Sequence, residues 1–278
     1  MTLDALARES GTFAMVAMDQ RESLRTMLRD HGHEPTPERV EGFKVAVARE
    51  LAPHASGFLI EGDHVDAVAE FVRHGLLLAV DRLVQEPGGP VEDTSLDEDA
   101  KPGPGIVGLK LLLIWRDDDR RAERLELSRR FVQVASRHGL LSVLEPVVRV
   151  PEEQRETAIV EAAHELGAVR PSLYKCQVPL QGRGDPAEIE ERARAIDAVL
   201  DCPWVVLSQG VEPDDFLAAV EAACRGGASG FLAGRALWTA TLAADDPTEL
   251  LRAVSVPRLQ QLGRIVDEHA RPWREKAT

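Results

Sequence analysis

The chain has 278 residues, 44% of them hydrophobic and 29% charged, with a mean hydropathy of -0.18, which is enough for a sizeable core. Its formal net charge of -14 argues against nucleic acid or an anionic membrane surface as partner, so an anionic ligand must be met by locally placed Arg, Lys and backbone N–H groups. No run of roughly 18 apolar residues occurs, the N-terminus lacks signal-peptide character, and Cys176, Cys202 and Cys224 show no metal-like spacing, so a cytoplasmic chain with buried thiols is expected.

Short apolar runs alternate with amphipathic segments from one end to the other. The strand candidates are 13–18, 57–60, 76–80, 106–114, 140–144, 172–178, 204–207 and 230–233. Their near-continuous apolar character, without alternation, suits a parallel sheet buried on both faces. Helical patterns fill the gaps. Thr36 followed by Pro37 opens a helix with Val40, Phe43, Val47 and Leu51 on one stripe. Segments 119–137 and 152–166 are charged but periodic. Asp185-Pro186 and Asp246-Pro247 repeat the start signal, and Pro257 is expected to split the last helix into 248–254 and 258–270. Between the third and fourth runs, 86–105 holds four Pro, four Gly and six acidic residues, which reads as a long surface loop in place of a helix, with an active-site lid as the sharper alternative.

Eight strands separated by helices is the arithmetic of a (β/α)8 TIM barrel of the α/β class, a single domain over 1–278. A doubly wound open sheet is the competing fold, but no glycine-rich dinucleotide fingerprint follows the first strand. In a barrel, chemistry collects where strands run into the following loops. Those positions carry Asp19, Gln20, Glu61, Asp81, Lys110, Glu145, Lys175, Ser208, Gln209 and Arg235. Only five lysines occur among 33 basic residues, yet two of them, Lys110 and Lys175, sit inside strand-like runs, where an unpaired ammonium is costly. A lysine so held can attack a carbonyl as an amine, and two neighbouring ammoniums would each favour the neutral form of the other. Glu145 is then the candidate proton shuttle.

The seventh and eighth strands end in Leu-Ser-Gln-Gly-Val (207–211) and Phe-Leu-Ala-Gly-Arg-Ala (231–236). Small residues there let backbone N–H groups approach an anion, and Arg235 supplies a charge-assisted partner, so a phosphorylated keto-sugar is the implied ligand. Of the eight histidines, only His64 follows a strand, which disfavours a metal-dependent version of the chemistry.

Seven motifs, GTFAMVAMDQRESLRTML (11–28), LKLLLIWRD (109–117), LEPVVRV (144–150), LYKCQVPLQGRG (173–184), WVVLSQGV (204–211), GASGFLAGRALW (227–238) and RLQQLGRIVDE (258–268), together resemble the sulfofructosephosphate aldolases, within the class I tagatose-1,6-bisphosphate aldolase group. The resemblance implies a metal- and cofactor-independent TIM-barrel lyase. Such an enzyme cleaves 6-deoxy-6-sulfofructose 1-phosphate to dihydroxyacetone phosphate and 3-sulfolactaldehyde, in sulfoquinovose breakdown, and barrels of this group commonly form homo-oligomers. On this resemblance Lys175 is the Schiff-base lysine, Glu145 the acid/base and Lys110 the second lysine. Asp19, Gln20 and Arg21 form the Asp-Gln-Arg motif, and Ser208, Gln209, Gly210, Gly234 and Arg235 form the phosphate turns. Arg21 or Arg116 is expected to meet the distal anion. Two stretches depart from the group, the acidic 80–105 segment and Val-Pro-Glu-Glu-Gln-Arg after Arg149, where a more basic loop is expected. Cleavage of tagatose or fructose bisphosphate by the same lysine, a sugar-phosphate isomerase and a non-catalytic sugar-phosphate binder are the alternatives.

Overall fold

The computed structural model describes residues 1–276. In chain order its elements are β1 (Phe13–Ala17), α1 (Glu22–Asp30), α2 (Pro37–Leu51), β2 (Gly57–Glu61), α3 (Val65–Val68), β3 (Leu76–Ala79), β4 (Asp81–Val84), β5 (Asp93–Leu96), β6 (Ile106–Trp115) and α4 (Arg121–Arg137). They continue with β7 (Leu141–Val148), α5 (Arg155–Gly167), β8 (Leu173–Gln177), α6 (Pro186–Val199), β9 (Trp204–Leu207), α7 (Phe216–Arg225), β10 (Gly230–Ala233), α8 (Arg235–Trp238), α9 (Thr248–Leu250) and α10 (Val256–His269). Eight strands close a parallel barrel in the order β1-β10-β9-β8-β7-β6-β3-β2, and each overlaps one of the eight apolar runs. No helix among the described residues is long and apolar enough to cross a membrane.

Side chains alternate across each barrel strand. Phe13, Met15, Ala17, Leu59, Leu77, Leu141, Val143, Leu173, Val205 and Leu232 fill the barrel, and Leu3 and Leu6 from the N-terminal turn join that cluster. The intervening residues, such as Val16, Phe58, Leu111, Leu144, Tyr174 and Phe231, form the larger layer between barrel and helices. Helix starts follow the sequence: Thr36 accepts a hydrogen bond from the Arg39 N–H at 3.2 Å, and Asp185 accepts one from the Ala187 N–H at 2.9 Å.

Three elements differ from the sequence reading. The 86–105 segment is not one irregular loop. β5 lies inside it and pairs antiparallel with β4, Asp81 opposite Leu96 and Val84 opposite Asp93, so a hairpin occupies the connection from β3 to β6 and no helix does. Pro257 does not break the last helix; a π-helical segment over Leu251–Ser255 runs directly into α10. Proline removes a backbone donor, and the wider turn absorbs that loss without a chain break.

β7 also runs four residues beyond the expected 144, straight through Pro146. β8 pairs with β7 only through Val143 and Leu144, so beyond them the ladder continues on the β6 side alone. The Val148 N–H, which points the same way as the missing one of Pro146, donates instead to the Gln177 side chain at 2.8 Å. The proline therefore faces an edge with no ladder bond to lose.

Candidate active site

Period-two alternation carries five ionisable side chains into one buried cluster at the C-terminal end of the barrel. Asp19 continues the inward row of β1, Asp81 that of β3, and Lys110, Glu145 and Lys175 lie on the inward rows of β6, β7 and β8. Lys110 and Lys175 are 1% and 3% exposed. Lys110 Nζ donates to Asp19 Oδ2 at 2.7 Å and Asp81 Oδ1 at 3.1 Å. It also lies 3.0 Å from Glu145 Oε2, within ion-pair reach but off hydrogen-bond alignment. The other oxygen of Glu145 is 2.9 Å from Lys175 Nζ. Asp81 is fixed further by the Leu112 N–H at 3.0 Å and by Arg21, whose guanidinium reaches its carboxylate at 3.2 Å and its carbonyl at 2.8 Å.

This arrangement corrects one expectation. The two lysines do not simply confront each other; Glu145 is interposed and touches both. Burial works against the Lys110 charge, but Asp19, Asp81 and Glu145 outweigh it and hold this ammonium protonated, its pKa raised. Burial likewise pushes the Asp19 carboxyl up, yet the Lys110 and Lys175 ammoniums outweigh that and keep it well below the usual carboxylate range. Lys175 has one carboxylate contact, and that carboxylate is shared. The geometry thus sets the two lysines in different surroundings: Lys110 meets three carboxylates and Lys175 shares one of them.

A cavity of about 250 Å³ opens over this cluster. Asp19, Gln20, Arg21, Lys110, Glu145, Lys175, Ser208, Gln209, Gly234 and Arg235 all line it. Gly210 does not, although its φ of 80° shapes the turn after Gln209. Arg116 does not line it either. Its guanidinium is tied to the connecting loop of the hairpin, at 2.6 Å from the Glu92 carbonyl and 3.0 Å from the Glu92 carboxylate. At β10, a Cβ on Gly234 would fall 2.4 Å from the Ala17 carbonyl, so only glycine allows this close approach beside the cavity.

Several residues were missed as site members. Asp81, singled out only as a polar strand end, is the second acceptor for Lys110, and Gln85, together with Gly89, Pro90 and Val91 of the segment weighed as a loop or a lid, lines the cavity from the hairpin. Arg149 also lines it, next after Glu145 and Val147 on the same inward row. Period two from Glu145 would have found it. Behind the cavity, Lys44 of α2 is fully buried and donates to the Met18 carbonyl at 3.1 Å, the Gln20 carbonyl at 2.8 Å and Glu61 at 2.5 Å. It clamps the backbone on either side of Asp19. Its position on the buried stripe with Val40, Phe43, Val47 and Leu51 was the available signal. His64 belongs to this rear cluster, 2.7 Å from Glu61, and not to the cavity.

Three cavity carboxylates, Asp19, Asp81 and Glu145, face five cations, Arg21, Lys110, Arg149, Lys175 and Arg235; the further acid, Glu22, turns to Arg29 at 3.1 Å. A chain of net charge -14 has therefore built a cationic site, the local provision an anionic ligand requires. Two of the five cations, Arg149 and Arg235, make no side-chain hydrogen bond or ion pair among the described residues, and burial lowers the pKa of both guanidiniums.

Comparison with known proteins gives the chain its family. The curated relatives include the tagatose 1,6-diphosphate aldolase of Staphylococcus epidermidis, 25% identical over 316 residues and covering 99% of this chain and 97% of the relative. The enzyme of the same name from Staphylococcus aureus is 24% identical over 317 residues, with the same coverage. Among solved structures, a fructose-bisphosphate aldolase from Plasmodium falciparum superposes with a TM-score of 0.74 at 13% identity, over 96% of this chain and 93% of that one. An archaeal fructose-1,6-bisphosphate aldolase, with its catalytic Lys covalently bound to the carbinolamine intermediate, gives 0.60 at 17% identity over 95% and 98%. At those identities the structures speak for the barrel alone. The DeoC/LacD family aldolase model matches residues 13–240, from the first barrel strand past the last, and the chain belongs to that aldolase family.

Proposed function

We propose that the protein is a class I aldolase in which Lys175 forms a Schiff base with a ketohexose 1-phosphate. The observation that carries this reading is the single carboxylate of Glu145 bridging Lys175 and Lys110 in a buried strand-end cluster. Lys175 Nζ, as the free amine, adds to the C2 carbonyl, and loss of water gives the iminium. Glu145 accepts the C4 hydroxyl proton, the C3–C4 bond breaks, and its electron pair flows to the iminium nitrogen, giving an enamine and releasing an aldehyde. Protonation at C3 and hydrolysis then return the amine and dihydroxyacetone phosphate. Lys110, held charged, fixes Glu145 and Asp19 throughout. Arg235, Ser208 and the small residues beside them suit the C1 phosphate.

For the substrate we favour 6-deoxy-6-sulfofructose 1-phosphate, on the motif resemblance running from the Asp-Gln-Arg segment to the final helix. Tagatose 1,6-bisphosphate is the second reading, supported by the names of the curated relatives. Borohydride reduction with dihydroxyacetone phosphate should leave a stable adduct on a peptide containing Lys175, absent from Lys175→Ala. An adduct that persists in that variant refutes the Schiff-base assignment. The ratio of kcat/KM for the sulfonate and the bisphosphate then decides between the substrates.

A further inference from the structure

A ketohexose 1-phosphate with a charged C6 substituent has a second anion, and this protein needs a partner for it. Neither arginine expected there is available. Arg21 is committed to Asp81, and Arg116 to Glu92. Around the barrel the order β10-β9-β8-β7 puts Arg235 and Arg149 on either side of the strand that bears Lys175. A ligand with its C1 phosphate at Arg235 and its C2 carbon at Lys175 therefore extends its far end toward β7.

We propose that Arg149 binds the terminal oxyanion at C6, sulfonate or phosphate, and so sets the preference for substrates charged at both ends. It rests on the same inward row as Glu145, at the rim where the cavity meets the hairpin loop. Its guanidinium has no protein acceptor among the described residues, and beyond burial it is opposed by Arg116 and Arg155 and helped only by Glu92. Arg155, at the start of α5, is 13% exposed; its Nε lies 3.9 Å from Glu156, and Nε and Nη2 are buried without hydrogen-bond partners. A guanidinium without an acceptor, set beside others of its own charge, is unfavourable in the free protein and becomes favourable once an oxyanion meets it. The sequence after Arg149 looked acidic, but Glu152 turns away to Gln181 at 3.1 Å, and Arg155, which does not line the cavity, lies close enough to add positive charge behind Arg149.

This inference rests on the aldolase reading and is separable from it. Purified full-length protein is assayed with 6-deoxy-6-sulfofructose 1-phosphate, a ketohexose 1,6-bisphosphate and fructose 1-phosphate, which is neutral at C6. For the preferred doubly charged substrate, Arg149→Met should lower its kcat/KM relative to that of fructose 1-phosphate by about ten- to hundredfold, chiefly through KM. Arg155→Met should move the same ratio in the same direction, whereas Arg235→Met should depress all substrates and keep the ratio. If Arg149→Met does not fold, Arg149→Lys, which keeps the charge but not the fork, should lower the ratio by a smaller factor. An unchanged ratio in a folded Arg149 variant overturns the proposal. Absence of the borohydride adduct in the wild-type protein overturns the aldolase reading instead.

Discussion

At the scale of single residues, the two strand lysines hold different places in the charge balance, and that difference is measurable. Lys110 neutralises Asp19, Asp81 and Glu145 at once, whereas Lys175 touches only Glu145. Removing the partner of a buried carboxylate typically costs about 3–5 kcal/mol. Lys110→Met should therefore lower the melting temperature much more than Lys175→Met, although under the proposed mechanism it is the second that loses Schiff-base formation. The pH dependence has a definite sign. Asp19 is depressed in the folded state, so its contribution is present in full above its unfolded value near about 4 and is lost as pH falls through the folded one. Lys110→Met removes the main source of that depression, so its penalty should be greatest at neutral pH and shrink below about pH 4, as thermal melts across that range would report. Lys175, Glu145 and Lys110 were legible as polar residues in apolar strands. Arg149 could be reached by period two from Glu145, but its lack of a partner could not, being a property of the folded neighbourhood.

At the scale of elements, the eight barrel strands could be read because a strand covered on both faces must be apolar throughout. The hairpin could not. Asp-Arg-Leu-Val and Asp-Thr-Ser-Leu have no such run, and they become strands only by pairing with each other across the intervening Pro/Gly turn. The 3.0 Å contact of Arg116 with Glu92 and the 2.6 Å contact of Arg120 with Asp93 hold this hairpin to the rim. Exposed ion pairs of this kind contribute about 0–1 kcal/mol each. The Arg116→Ala/Arg120→Ala double variant should thus raise amide exchange across 85–93 severalfold and shift the melting temperature by only about 2–4 °C or less. A large global loss would mean the hairpin is part of the core, not a roof upon it. Proline misled at Pro257, and Pro146 sits inside β7, because its effect depends on which backbone partner the missing N–H would have had.

Across the whole molecule, packing of the helices on the barrel leaves the three thiols covered. Cys176, Cys202 and Cys224 are all buried, and burial pushes the first two up to about 12 and the third higher. Native protein should release no thionitrobenzoate from Ellman's reagent at pH 8 over minutes, and three equivalents per chain after denaturation. Early reaction of a native thiol would show that the barrel opens locally. The charge balance is another property of the whole chain: the excess of acid lies outside the barrel mouth, and the mouth itself is cationic, which composition alone could suggest but not locate.

The hairpin between β3 and β6 has one more consequence. Every other barrel connection in contact with the cavity is anchored by the helix that follows it, so changing its length disturbs a packed wall. This one is a self-paired ribbon with a Pro/Gly tip, and its cavity-facing residues hang from no helix. A lineage could lengthen, shorten or graft that ribbon and leave the lysine chemistry beneath it intact. In this architecture substrate preference and catalytic machinery are free to drift apart.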